Sequence, residues 1–442
     1  MKNEKNNINL FLTLYSHAND EIELLKKYYD MTHKDVVSHR ISIEKKYEPG
    51  KTIDSLIESI INKATNTIDE EKLKEVNDKI IIDDIKFSDI INNVSVNTNT
   101  KRIQFSFVSN FNLKEQYNPN IARYKYKEAE RYEAITSRSI ISDIIVSFES
   151  LLTKILNSLI FCNPFPYLEG ETIPLASFFM DNASKNLIEK INKVVEKRMY
   201  DSLKTLEQII QIEKIDVDKE VFASFKEIYF RRNVIIHNDC KVNKQYLDAI
   251  HSKFRKNVKL GDLLTCDDNY VRNSFDVVQE LFFFIFYGIF NNYSEDNKYI
   301  SVISNFAFKK LQKKEYLLAK TIYKKISNNS KIEFIDKMMY RINYLNAIKQ
   351  LNEKEQLEKE LKTLDVSIAT DDFKIAKLCL LNKNEEIYLY LNKTYPNSFN
   401  AISLKEWPIF VNFRESQEYQ KFCAEHSEDF LSEEIVEETE QN

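Results

Sequence analysis

Four glycines and seven prolines in 442 residues limit how often this chain can turn sharply. Glycine supplies the left-handed backbone of tight turns, and proline presets the bend of others. Sandwiches and barrels need such a turn about every ten residues. Leu, Ile, Lys, Glu and Asn dominate instead, a composition that favours long helices. The expected fold is therefore mainly α, and the length suffices for two or three domains with separate cores.

Residues 1–120 carry mixed signals. Asn19 is placed to cap a helix bearing Ile22, Leu24, Leu25 and Tyr28, and Ile53 to Ile68 again has helical spacing. Ile103, Phe105 and Phe107 then alternate with Gln104, Ser106 and Val108 as in a strand. Val94-Ser95-Val96 supplies a hairpin partner across Asn97-Thr98-Asn99-Thr100. This stretch is expected to be a small N-terminal α+β domain of unknown role.

From residue 121 the helical period is strong. Ile140, Ile144, Phe148, Leu151, Leu152, Ile155 and Leu159 form one apolar stripe that Asn163-Pro164-Phe165-Pro166 ends, with a loop running to Pro174. Leu187, Ile191, Val194 and Val195, continued by Leu203, Leu206, Ile209 and Ile210, give a second helical pattern. Val221, Phe222, Phe225, Ile228 and Tyr229 give a third; Val271, Phe275, Val278 and Leu281 to Phe290 a fourth. A four-helix bundle over 121–295 is the simplest reading.

Beyond it, Ile303, Phe306, Ala307, Ala319 and Tyr323 are spaced as in a tetratricopeptide-type helix pair. Phe373 to Leu381 and Glu385 to Tyr395 suggest another pair, and Trp407 to Phe413 a terminal helix. Residues 296–427 are therefore expected to form a degenerate helical-repeat domain, and 428–442 an acidic disordered tail.

The stretch with chemical potential is Phe230-Arg231-Arg232-Asn233-Val234-Ile235-Ile236-His237-Asn238-Asp239. The arginines are expected at a helix end, with His237 one turn further on. A guanidinium grips phosphoryl oxygens with fixed geometry, and histidine exchanges protons near pH 7. Arg232, a polar residue, three more and then His237 resembles the signature of the HEPN superfamily of ribonucleases, known from toxin–antitoxin, abortive-infection and CRISPR systems. The continuation to Asn243, Tyr246 and Leu247 resembles the segment that follows the histidine in that family. The four-helix frame, with the motif between its third and fourth helices, extends the resemblance over 121–295.

That resemblance implies a metal-independent endoribonuclease that uses the 2′-hydroxyl of RNA as nucleophile. It also implies a homodimer in which two HEPN-like bundles share one cleft, and an antiphage or toxin setting. Arg232 and His237 would be catalytic, with Asn233 orienting the imidazole, touching phosphate, or capping the helix. Arg231 has a tolerated spacing too. Asn238, Asn243 and Tyr246 match the downstream pattern, although each residue type also satisfies backbone groups in a turn. Many family members have glycine just after the His-Asn step; here Asp239-Cys240 occupies that turn.

Lys241, Lys244, Lys253, Arg255, Lys256 and Lys259 make a basic run beside the motif. Lys241, Lys253, Arg255 and Lys256, with Arg231, Asn238, Asn243 and Tyr246, are the candidate RNA-binding residues. Glu149 is a further, weaker candidate. The formal net charge is −5, but the stretch from Glu428 to Glu440 holds seven acids and no base, so the rest is slightly positive.

No nucleotide-binding glycine loop, zinc-protease motif or spaced carboxylate cluster is found, and no cofactor is expected. The five cysteines, at 162, 240, 266, 379 and 423, are scattered and read as reduced thiols. The polar start lacks a signal-peptide core, and the apolar run Leu281 to Phe290 is too short to span a bilayer. A cytoplasmic protein is expected, with RNA as partner and a regulatory protein possible on the repeat. The alternative function is a non-catalytic HEPN and helical-repeat scaffold. A pure repeat adaptor leaves the central helices unexplained.

Overall fold

The structure, a computed structural model, describes residues 2–62, 81–82, 85–86, 91–97, 102–107, 119–170, 183–256, 258–294, 297–367 and 369–431. Helix α1 (Lys2–Asn62) opens the chain, followed by the antiparallel pairs β1 (Ile81–Ile82) with β2 (Ile85–Lys86) and β3 (Ile91–Asn97) with β4 (Arg102–Phe107). Next come α2 (Pro119–Cys162), α3 (Phe165–Leu168), α4 (Ala183–Met199), α5 (Ser202–Ile212) and α6 (Lys219–His237). The short α7 (Lys244–Ala249) and α8 (Ser252–Arg255) precede the long α9 (Asp268–Tyr293). The remainder is helical: α10 (Lys298–Gln312), α11 (Tyr316–Ser327), α12 (Phe334–Gln350), α13 (Lys354–Leu361), α14 (Asp371–Leu380) and α15 (Asn384–Thr394). It closes with α16 (Ala401–Glu406), a 3-10 turn (Pro408–Phe410), α17 (Val411–Arg414), α18 (Gln417–Glu425) and α19 (Ser427–Leu431). The protein is mainly helical.

By packing, the chain divides into two compact units: 1–21 with 147–227 and 275–442, and 22–146 with 228–274. These limits do not follow the consecutive domains expected from sequence, because they fall inside α1, α2, α6 and α9. Each of those helices is continuous in hydrogen bonding but belongs in part to each unit.

In the first unit, the apolar stripe of α2 is buried at Phe148, Leu151, Leu152, Ile155 and Leu159. Phe148 packs on Phe225 of α6, ring centroids 4.5 Å apart, and stacks on Phe282 of α9 at 5.9 Å. Ser202 of α5 donates to Glu149 at 2.8 Å, so that acid joins two helices. Proline ends the stripe as expected: Asn163 still donates to the Leu159 carbonyl, and Pro164 has no N–H to continue the ladder.

Helix α9 is buried on every side between Leu281 and Tyr287 and again at Ile289 and Phe290, the signature of a central helix. Gly288 is there because Ile215 lies against it: a Cβ at 288 would meet Ile215 Cγ1 at 2.8 Å. Beside it the buried Glu213 accepts hydrogen bonds from Tyr167 (2.6 Å), Tyr293 (3.1 Å) and Asn292 (3.2 Å). Those donors replace the water the carboxylate has lost. Among the described residues one helix, α2 from Tyr124, is long and apolar enough to cross a membrane. A core helix meets the same test, and the part of α2 in this unit is such a helix.

Helix α10 packs on α11, α11 on α12, α12 on both α13 and α14, and α14 on α15, much as in a repeat array. Ile303, Ala307, Ala319 and Tyr323 are buried where α10 meets α11. Lys310 is buried with Glu315 (2.9 Å) and Gln279 (3.1 Å) as partners. The terminal helix expected from Trp407 to Phe413 is instead a 3-10 turn that Pro408 opens, followed by the short α17. Trp407 donates to the buried Asn343 at 3.1 Å. The acidic tail starts inside α19, and residues 432–442 lie outside the described residues.

In the second unit, Arg40 of α1 pairs with Glu133 of α2 at 2.7 Å, and Ile43 packs near Ala129. Asp268, the first residue of α9, accepts from Tyr29 (3.1 Å) and Arg272 (2.9 Å), and Arg272 reaches Asp30 at 2.7 Å. Burial works against the Asp268 carboxylate, but those hydrogen bonds hold it below the usual range. Asn19 is not a cap: α1 runs straight through it, and its buried amide donates to the Tyr15 carbonyl. The strand expected at 102–107 pairs with 91–97, Val94 opposite Phe105 and Val96 opposite Ile103. Residues 63–68, 98–101, 108 and 171–182, on which parts of the helix, turn, strand and loop readings fall, lie outside the described residues.

Candidate functional site

Helix α6 starts where Asp218 Oδ1 accepts the amides of Glu220 (2.8 Å) and Val221 (3.2 Å), which would otherwise lack partners. It does not stop at the arginines. Apolar residues continue to Ile236, and the helix runs through His237 as its last residue. The Val234 carbonyl then accepts both Asn238 N–H (3.0 Å) and Cys240 N–H (3.2 Å). Asp239 and Cys240 make this reversal with φ of 48° and 61°, left-handed values that glycine adopts without strain.

Arg231 is committed to the fold. Its guanidinium donates to the Thr265 carbonyl at 2.5 Å and stacks over the Tyr270 ring at 4.1 Å. Arg232 is half-buried, donates to Asn233 Oδ1 at 3.1 Å and lies 5.5 Å from the Tyr229 ring centroid. Asn233 therefore sits within the helix and is no C-cap. His237 is exposed. At about 100° per residue, Asn233 and His237 share a face, whereas Arg232 and His237 are about 140° apart around the axis. The arrangement expected from sequence, arginines at a helix end with His237 one turn further on, is replaced by one continuous helix that carries all three.

The segment after His237 folds back on the end of α6. Asn238 closes the turn through its amide, which donates to the Lys241 carbonyl, while Lys241 N–H returns to the Asn238 carbonyl at 2.9 Å. A short antiparallel bridge joins Lys241 to Leu263, with Val242 N–H on the Asp262 carbonyl and Leu264 N–H on the Cys240 carbonyl. Asn243 caps α7 by accepting from Tyr246 N–H at 2.8 Å. Tyr246 is buried with Val234, Val242, Ile250 and Leu264 in a small core of its own. Arg255 donates to the carbonyls of Ile250 (2.7 and 2.9 Å) and Asp248 (3.2 Å), binding α8 to the end of α7.

Five of the residues read from sequence as RNA-binding thus have structural work here: Arg231, Asn238, Asn243, Tyr246 and Arg255. Lys241 and Lys256 are exposed, as are Lys244 and Lys259, and Lys253 is half-buried with its ammonium 4.7 Å over the Phe254 ring. Sequence reasoning missed Arg138 of α2, whose charge acts on Cys240. Burial pushes that thiol up, Asp239 adds to the rise, and Arg138 opposes it. No local pattern announces Arg138, because only tertiary packing brings it to the turn. Among the described residues, no group of His, Cys, Asp and Glu is placed to hold a metal ion. No family model, curated protein or solved structure matches the chain.

Proposed function

We propose that the protein is a metal-independent endoribonuclease of HEPN type, acting in the cytoplasm as a toxin or antiphage effector. In this reading α2, α4 with α5, α6 and α9 form the HEPN-like bundle of 121–295. Residues 296–427 form a regulatory helical repeat, and 1–120 an α+β domain. The observation that carries it is the end of α6: an exposed His237, five residues past a half-buried Arg232, followed by a folded segment that exposes Lys241, Lys244, Lys256 and Lys259 beside Asp239, Asp248 and Asp262. Arg232 would stabilise the charge that grows on the pentacoordinate phosphate. His237 would move the proton at the 2′-hydroxyl or the leaving 5′-oxygen. The angle between them favours a homodimer, in which the two residues need not come from one chain.

The rival reading is a non-catalytic scaffold, and the use of Arg231, Asn238, Asn243, Tyr246 and Arg255 in holding the fold favours it. Cleavage of a labelled RNA by wild type and His237→Ala, in excess EDTA, separates the two. The ribonuclease reading expects 2′,3′-cyclic phosphate ends from wild type and a loss of about 10²- to 10⁴-fold in the variant. No cleavage by the wild type, or equal cleavage by both, makes the scaffold reading correct.

A further inference from the structure

In the first unit a cleft of about 620 Å³ opens between the start of α6, α9 and α11. Its size falls in the range of pockets that enclose a small organic ligand. Phe284 and Tyr287 of α9 line its floor with largely buried rings, Phe284 lying 5.8 Å from the Lys325 ammonium. One wall is α11, which carries Lys320, Lys324 and Lys325. Asp216, from the segment before α6, faces them and pairs with Lys325 at 2.5 Å.

These groups are not all consumed by one another. Lys320 holds Glu353 at 2.7 Å, but an ammonium has three donors. Lys324 is exposed and lines the cleft one helical turn after Lys320. Behind the basic wall, Thr321 donates to the buried Glu280 at 2.6 Å. Burial pushes Glu280 up to about 7, with Asp276 and Asp218 raising it further and Thr321 and Lys320 opposing. Near neutrality that carboxyl sets only a partial negative charge against an anion in the cleft.

A bare anion has no use for the aromatic floor, and an amino acid has no use for three ammoniums. We propose that this cleft binds a nucleoside phosphate: its base against Phe284 and Tyr287, its phosphate on Lys320 and Lys324, its ribose hydroxyls donating to Asp216. A phosphate between ammoniums forms charge-assisted hydrogen bonds, and a base laid on aromatic rings adds a contact that inorganic phosphate cannot make. The inference stands apart from the ribonuclease reading and uses none of its residues.

Isothermal titration of the full chain with AMP, adenosine and inorganic phosphate tests it. AMP is expected to saturate one site per chain and to bind at least about tenfold more tightly than either fragment, since each lacks one half of the contacts. Lys324→Glu and Asp216→Asn alter exposed side chains and leave the core intact. The first is expected to weaken AMP at least about tenfold, the second to weaken AMP relative to inorganic phosphate, which gains from the release of Lys325. Absence of saturable AMP binding, equal affinity for AMP and inorganic phosphate, or indifference of AMP to Lys324→Glu would each overturn the proposal.

Discussion

Helix α9 between Leu281 and Phe290 and helix α6 between Arg231 and His237 are stretches of similar length with opposite surroundings. Nearly every side chain of the first is buried; the second puts a half-buried cation, an amide and an exposed imidazole among its apolar residues. The contrast separates two kinds of constraint. In α9 any change of volume is felt by packing, whereas at the end of α6 polar side chains change without emptying a core. Stability and chemistry should therefore respond to different substitutions.

The largest effect should fall on chemistry. Arg232→Ala is expected to reduce RNA cleavage about 10²- to 10³-fold, and Arg232→Lys to fail as well, because an ammonium lacks the paired donors. Thermal melting of both should match wild type to within a few degrees. Arg231→Ala is the counter-case: melting should fall, while cleavage per folded molecule persists. Reversal of that pattern would exchange the roles of the two arginines.

Phe282→Ala should cost about 3–5 kcal/mol in denaturant unfolding, with no specific effect on cleavage while the protein remains folded. An equal loss in both measurements would break the comparison.

A titrating group sharpens it further. Burial holds Glu280 at about 7, well above the ordinary glutamate value of about 4.5. The folded state therefore keeps a proton that the unfolded chain releases, so stability falls as pH rises from about 4.5 to 7 and levels off above. Glu280→Gln retains a partner for Thr321 and cannot ionise. It should match wild type at about pH 5 and exceed it by about 1–3 kcal/mol at about pH 8, as read from unfolding midpoints. A constant difference across that window would show that ionisation of Glu280 is not its cause.

The smallest effect is expected at the turn after His237. Cys240→Gly should relieve a left-handed non-glycine residue by about 1 kcal/mol, less whatever the buried thiol contributes by packing. A drop in stability of more than about 2 kcal/mol would mean that the thiol's packing outweighs the backbone.

Much of the helical frame was legible because burial is periodic. The stripe from Ile140 to Leu159 is a record of which side faces a core, and the stop at Pro164 and the alternation from Ile103 to Phe107 are local signals of a helix end and a strand. Asn19 misled because an Asn before an apolar helix looks like a cap, yet its amide can turn back one helical turn to the Tyr15 carbonyl. Asn243, Tyr246 and Arg255 misled for a related reason. The donors and acceptors that suit a polynucleotide also suit a helix end, a small core and a pair of carbonyls. Residue type says what a side chain can bond, and only packing decides what lies within reach. The same limit hid Arg138 and the separation of Arg232 from His237, which depends on how far one helix continues.

The contact of Gly288 with Ile215 bears on how this sequence can drift over time. A methyl group at 288 would press on the branched carbons of Ile215 rather than on the movable tip of a long side chain. Neither position can then enlarge alone. Tolerated changes there should arise as compensating pairs, a larger residue in α9 answered by a smaller one before α6. In a population of related sequences the two sites would carry a shared history, while the exposed lysines of the basic segment diverged independently.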